Sequence, residues 1–207
     1  FYRINQKEIP SITGDIIPEP VGSFEEYEKT TIRQYSEDLA RLNAPKCILN
    51  KEWLNSRGAV FRFDRRAIEI RIMDEQECIK SDVALSCFIR ALLRGILRES
   101  EQQTPHRVLV ENLGTVIKDG LDAEVSHPKG STAREVCRYL LRVAEKEASK
   151  EDRQYLWVVR KRIEEGSLSN LVLRKVREKT QKTSLEEAIL SVYSALAKCL
   201  EENKVYT

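Results

Sequence analysis

The alternation of apolar and polar positions is cleanest over residues 58–74, GAVFRFDRRAIEIRIMD. Phe61 and Phe63 in one arm, and Ile68, Ile70 and Ile72 in the other, recur at every second position, the period of a strand with one buried face. The pattern predicts an antiparallel β-hairpin with residues 64–67 as its loop. Phe63 then faces Ile68, Phe61 faces Ile70, Arg62 faces Glu69 and Val60 faces Arg71. One face is apolar in that register, and the other gathers Arg62, Glu69 and Arg71.

Most of the remaining chain has helical period. Residues 1–22 are punctuated by Pro10, Gly14, Pro18, Pro20 and Gly22 and read as an extended leading segment. Ser23 with Glu26 forms a capping box, and Tyr27, Ile32, Tyr35, Leu39 and Leu42 make a stripe that carries a helix to about Leu42, where Pro45 stops it. Residues 46–57 form a short apolar connection ending in Asn55, Ser56 and Arg57. After the hairpin, Ser81 is placed to cap a helix over 82–98 with Asp82 in its first turn. That helix is apolar on most sides, so it reads as the central buried helix packed on the apolar face of the hairpin. Its Arg90, Arg94 and Arg98 lie on one stripe. Exposed arginines with stems lying over apolar neighbours are the simpler account, an anion-binding row the less economical one.

A polar loop over 100–108 and a helix to about Lys118, ended by Gly120, come next, and His127 with Pro128 begins another turn. Four helices are expected beyond it, at 133–149 (Thr132 and Glu135 as capping box), 152–165 (closed by Gly166), 168–179 (from Ser167) and 185–202 (capped by Thr183 or Ser184). With short loops they would form an antiparallel cluster. There is no internal repeat.

Composition changes this picture little. A chain of 207 residues can bury one core, or build one helical domain with a small sheet. A net charge of +2 spread over abundant charges of both signs gives no bulk attraction for nucleic acid or anionic membrane. No apolar run is long enough for a bilayer and no signal peptide is visible. Five cysteines, Cys47, Cys78, Cys87, Cys137 and Cys199, make no CxxC pair. They point away from zinc or a disulfide framework and toward a reducing cytoplasm. Because the first residue is Phe1, either the N-terminus was processed or the chain is part of a longer one.

Candidate chemistry lies on the charged face of the hairpin. A carboxylate can ligate Mg²⁺, whose shell phosphate oxygens and water complete. A guanidinium can grip the phosphate, and strands hold such groups more rigidly than loops. On spacing alone, however, a polar outer face with an Arg62–Glu69 surface salt bridge is the simpler reading. Asp74, Glu75 and Glu77 read as solvated loop charges.

The run EWLNSRGAVFRFDRRAIEIRIMDEQEC, with ITGDIIPEPVGSFEEY before it and KDGLDAEV and SLEEAILSVYSALAKCLEEN after it, resembles the C-terminal half of the carboxylate–amine ligase family related to glutamate–cysteine ligase. RFDR with IEIRIMD is the most specific part, and the similarity covers essentially the whole chain. It implies an α+β chain, part of a glutamine synthetase-like fold: an antiparallel sheet with helices on its convex side, in proteins about twice this long. On that reading residues 1–207 are the C-terminal part of one catalytic domain, divided as 1–22, 23–98 and 99–207. The implied activity is ATP- and Mg-dependent amide formation between a small-molecule carboxylate, glutamate being one candidate, and an amine. The carboxylate is first phosphorylated to an acyl phosphate, which the amine attacks.

By motif position Glu69 would be a magnesium ligand, and Arg71 a catalytic and nucleotide contact at the transferred phosphate. Arg62 would be its catalytic neighbour, and Asn55 and Arg57 would hold the substrate carboxylate. The glutamate-rich strands of the N-terminal half are absent, so this chain is expected to supply part of a site, to be inactive alone, and to self-associate or stay bound to its other half. The competing reading is a non-catalytic helical module that binds a protein partner.

Overall fold

The computed structural model of the chain describes residues 9–45, 54–98 and 104–207. Outside them lie residues 1–8 of the leading segment, 46–53 of the first connection (with Cys47) and 99–103 of the polar loop. The described residues are mainly helical with two small antiparallel sheets, an α+β chain. They divide into two compact units: 1–74 with 105–113, and 75–104 with 114–207. The division at 74/75 groups the helix that follows the hairpin with its apolar partners downstream in the chain.

In unit one, α1 (Pro10–Thr13) is a single turn with proline at its start, within a segment whose punctuation predicts only extended chain. Ser23 Oγ then accepts from Glu26 N at 3.1 Å, and Glu26 Oε2 accepts from Gly22 N at 2.7 Å. α2 (Phe24–Tyr27) runs through a π-helical turn (Glu28–Ile32) into α3 (Arg33–Arg41). The wide turn accounts for the stripe. Five residues along an ideal α-helix bring a side chain about 140° out of phase. A π turn restores Ile32 to the face of Tyr27, so both are buried with Tyr35 and Leu39. Leu42 falls past the last turn and is exposed. The stop is Asn43 in the left-handed region (φ 53°), with Ala44 N donating to Leu39 O at 3.0 Å.

The hairpin consists of β1 (Ala59–Arg62) and β2 (Ala67–Ile70), with Ala59 opposite Ile70, Val60 opposite Glu69, Phe61 opposite Ile68 and Arg62 opposite Ala67. This corrects the expected register, which is off by two residues. Phe63 belongs to the turn, where Arg65 N donates to Arg62 O at 3.2 Å and Arg66 N to Phe63 O at 3.3 Å, with Arg66 at φ 51°. An even shift leaves every side chain on its expected face. Within unit one Phe61 and Phe63 pack on Tyr27 and Phe24, with Tyr27 edge-on to Phe61 at 4.9 Å between ring centroids.

Unit two is built on α4 (Ile79–Arg98), which begins before Ser81 and so takes that residue into its first turn instead of using it as a cap. Its buried face is made of small residues, Ala84, Cys87, Ala91 and Gly95, while Leu93, Ile96 and Leu97 are exposed. The helix is therefore not buried on most sides, as its sequence suggests. It approaches α6 (Ala133–Glu147) so closely that a Cβ on Gly95 would overlap Val143. Leu141 and Ala144 of α6, and Val159 and Ile163 of α8 (Leu156–Glu165), complete this core. The arginine stripe of α4 is paired within the unit: Arg90 and Arg94 share Asp152, and Arg98 meets Glu147 at 2.5 Å. The three side chains are exposed, as the simpler account expects, and each has a carboxylate partner within the unit.

α5 (His106–Asp119) ends at Gly120 (φ 65°) in a 3₁₀ turn, Gly120–Asp122. The turn expected at His127 and Pro128 lies inside a second hairpin, β3 (Glu124–His127) with β4 (Gly130–Thr132), strands too short to show alternation in sequence. Thr132 and Glu135 cap α6 as expected. The helix expected at 152–165 divides into α7 (Lys150–Arg153) and α8, which Gly166 closes at φ 112°. Ser167 and Ser184 cap α9 (Leu168–Thr180) and α10 (Leu185–Glu202). Leu171, Val192 and Tyr206 form a satellite core around that last pair.

Candidate functional site

The site is assembled at the open end of the first hairpin, where three stretches of backbone lie side by side. Ser56 N donates to Ile12 O at 3.0 Å, Gly58 N to Ile16 O at 2.8 Å, and Arg71 N to Gly58 O at 2.7 Å. Gly58 permits this sandwich, because a Cβ there would collide with Ile72 on one side and the Ile16 carbonyl on the other. The pairing extends the hairpin ladder past Ile70 and fixes the direction in which Arg71 leaves the backbone.

Arg62, Glu69 and Arg71 come together as expected, although Arg62 and Glu69 are diagonal rather than direct partners. Arg71 Nε donates to Glu69 Oε1 at 2.7 Å, and Arg62 Nε lies 3.5 Å from Glu69 Oε2. Arg71 Nη1 donates to the Asn55 carbonyl. This is not the solvent face that alternation suggests: Val60 and Arg62 are 3% and 5% exposed, whereas Ile68 on the apolar side is 62% exposed. Two guanidinium groups thus converge on one carboxylate, of which 41% of the side chain remains accessible. Burial lowers the local dielectric and strengthens each of these interactions.

Asn55 and Arg57, the expected substrate contacts, sit at the base of the hairpin. Both are buried. Arg57 forms a two-pronged pair with Glu19, donating from Nη2 to Oε1 at 2.8 Å and from Nε to Oε2, while Nη1 donates to Ser11 O at 3.1 Å and Asn55 Oδ1 at 3.3 Å. Asn55 Oδ1 also accepts from Arg57 N, and Asn55 Nδ2 donates to Tyr27 Oη at 2.8 Å. Gly14 (φ 50°) lies against the guanidinium, and a Cβ there would overlap it. With their polar atoms engaged inside the chain, these two side chains form a scaffold under Arg71.

Burial pushes the Glu19 carboxyl up, but the Arg57 hydrogen bonds outweigh it and hold the group below the ordinary carboxylate range. Burial raises the Tyr27 hydroxyl, against the opposing effects of Asn55 and the two arginines. Glu19, Ser11 and Tyr27 have no local signal in sequence, since each meets its partner from far along the chain.

For a magnesium–phosphate group the residues present are a fit in kind. Glu69 offers one partly accessible carboxylate on a strand, the minimum a protein supplies to such a site, and the arginines are phosphate donors. No group of three or more His, Cys, Asp or Glu side chains able to hold a metal occurs among the described residues. Asp74 and Glu75 are exposed, as expected. Glu77 is not a solvated loop charge: its side chain is fully buried, with Arg162 Nη2 donating to Oε1 at 2.7 Å, Ser81 Oγ at 2.9 Å and Tyr206 N at 3.1 Å.

The family model for glutamate–cysteine ligase family 2 matches residues 2–194, nearly the full chain. The chain belongs to that family. The hairpin with Arg62, Glu69 and Arg71 falls inside the match, as do the scaffold residues beneath it. An uncharacterized protein of Archaeoglobus fulgidus is 43% identical over 206 residues, covering 100% of this chain and 51% of that protein. The chain therefore spans about half the length of the curated relative it matches. No solved structure matches. What the match shows is the family, glutamate–cysteine ligase family 2. Among the described residues no helix is long and apolar enough to cross a membrane.

Proposed function

We propose that this family 2 chain forms one wall of an ATP-dependent carboxylate–amine ligase site, joining a small-molecule acid such as glutamate to an amine through an acyl phosphate. The observation that carries the reading is the convergence of Arg62 and Arg71 on Glu69 within the family match. A carboxylate resists an amine because it is anionic and its oxygen leaves poorly, so the work left to the protein is positioning and charge stabilisation of the transferred phosphoryl group. Arg71, braced by Glu69 and the Asn55 carbonyl, presents its guanidinium to the phosphate, and Arg62 contributes charge from beneath. Mg²⁺, with Glu69 as its carboxylate from this chain, would neutralise the polyphosphate. Asn55 and Arg57 act here as positioning residues.

The same reading takes the hairpin as part of a larger antiparallel sheet of glutamine synthetase type. The sequence present in longer relatives would complete the site and cover the exposed Ile68 side, and the assembled protein would be a homo-oligomer in a reducing cytoplasm. The test is ADP release by the protein carrying this chain, with Mg²⁺ and a panel of acids and amines. Glu69→Gln is expected to lower turnover at least about 100-fold, the scale of losing one preorganised charge contact, with the fold retained by circular dichroism. An unaltered rate in that variant would remove Glu69 from the chemistry.

A further inference from the structure

α10 packs into the satellite core through one line of residues, the buried Ala188 and Val192 with the partly covered Leu196 and Cys199. At 3.6 residues per turn the rest of its surface divides into two unlike arcs. One is polar, with Glu187, Ser191, Ser194, Lys198 and Glu201. The other is apolar and open to solvent: Leu190, Tyr193 and Leu200 are 69%, 58% and 53% exposed, and Ile189 and Ala197 lie beside them. An exposed apolar arc set apart from a polar one is the mark of a contact surface.

The order of residues along that arc identifies the occupant. Glu186, Leu190, Tyr193, Ala197, Leu200 and Lys204 follow one another at intervals of 4, 3, 4, 3 and 4, the spacing of a helix–helix seam. It reads the same in both directions. A second copy laid antiparallel about a twofold axis near Ala195 therefore sets Leu190 against Leu200 and the large Tyr193 against the small Ala197, each contact occurring twice. The ends agree as well. Glu186, exposed at the helix start, comes opposite Lys204, 70% exposed just past the helix end, whereas a parallel pairing would set Glu186 against itself. Lys204 already holds Glu202 of its own chain at 2.7 Å, so this charge pairing lies at the rim and selects orientation while the apolar contacts supply affinity. We infer that the Leu190, Tyr193 and Leu200 face of α10 is the contact between two copies of the chain, paired antiparallel. The contact rests on the homo-oligomer of the proposed function and places it on unit two; because association and ADP release are read separately, either can fail alone. α10 has 18 residues and is about 27 Å long, so the interface falls at the small end of specific ones, below about 1,200 Å², and a micromolar dimer is expected.

Sedimentation equilibrium of the full chain over about 1–500 μM, a range set by that small interface, should show a monomer–dimer equilibrium. Leu190→Glu changes an exposed side chain and strikes the seam twice, so it is expected to weaken the dimer at least about 30-fold, the scale of losing a central interface contact, with circular dichroism unchanged. Ser191→Glu adds the same charge on the polar arc and should leave association as it was. Glu186→Lys and Lys204→Glu should each weaken the dimer about threefold or more, and the two together should restore it. A monomer throughout the range, a dimer indifferent to Leu190→Glu, or one weakened equally by Ser191→Glu would overturn the proposal. So would a chain that stays monomeric alone and uses this face only to bind the additional sequence of its longer relative, and a charge exchange that fails to restore the dimer would overturn the antiparallel arrangement.

Discussion

Removing the Glu77 side chain is expected to destabilise unit two more than any other single loss of a carboxylate in it. The side chain is 0% exposed and gathers three donors on Oε1, from Arg162, Ser81 and Tyr206, tying the start of α4 to α8 and to the segment after α10. Glu77→Ala removes those hydrogen bonds and leaves Arg162, 13% exposed, without its counter-charge. Breaking a buried pair from one side costs about 3–5 kcal/mol. In a protein of this size that is a fall in Tm of roughly 6–20 °C. Replacing both partners, as Glu77→Met with Arg162→Met, leaves neither charge stranded and should recover most of the loss, because an apolar pair of similar volume is often neutral.

The assay is denaturant unfolding followed by Trp157 on α8 in a Trp53→Phe background, so that the signal reports unit two alone. Double-mutant analysis then isolates the coupling between the two positions. A Glu77→Ala cost below about 1 kcal/mol, the range of exposed ion pairs, would refute the assignment. So would a double variant that loses the sum of the two single effects.

Two further outcomes test the other buried polar groups. Hydrogen bonds from Arg90 hold the Asp152 carboxyl below its ordinary value of 3.8, despite opposing burial. A carboxyl depressed in the folded state contributes stability that is present above 3.8 and lost as pH falls through the folded value. Unit two should therefore lose stability on acidification below that point, and Asp152→Asn should flatten this limb; an identical acid limb in the variant would exclude the group. In unit one, Tyr27→Phe leaves the buried Asn55 Nδ2 without its acceptor, a loss of about 1–3 kcal/mol. Amide hydrogen exchange at Ser56 and Gly58 should accelerate, and unchanged protection would show that Tyr27 does not brace that segment.

What could be read from the sequence was local. Helix starts at Ser23, Thr132, Ser167 and Ser184 were legible because an oxygen and its N–H target lie within one turn of each other. The faces of the first hairpin were legible for the same reason, since alternation needs only neighbouring residues. Its register was not. Any even shift preserves the faces, and the turn that selects among the shifts places Arg66 at φ 51° with neither glycine nor asparagine to announce it. Nor could the burial of Arg57 or Glu77 be seen: their partners Glu19 and Arg162 lie 38 and 85 residues away, and no periodicity links such positions. On α4 the large apolar residues suggested the buried face, whereas close approach to α6 selects the small ones.

The same distinction separates the residues of the candidate site. Resemblance groups Asn55, Arg57, Arg62, Glu69 and Arg71 by their place in a motif, without ranking their access to a ligand. The fold ranks them. Arg57 is held on two prongs by Glu19 and covered by Gly14, and Asn55 is spent on Tyr27 and Arg57, so a substrate could reach either only by dismantling the base of the hairpin. Glu69 and Arg71 stand above that base with 41% and 22% of their side chains accessible, aimed by a ladder that continues through the Arg71 amide. Catalysis by charge stabilisation requires groups that are both reachable and unable to relax away from the reacting atoms. In this chain the second property of Arg71 depends on the burial of Asn55 and Arg57, so a rigid support beneath Arg71 is the role their environment favours.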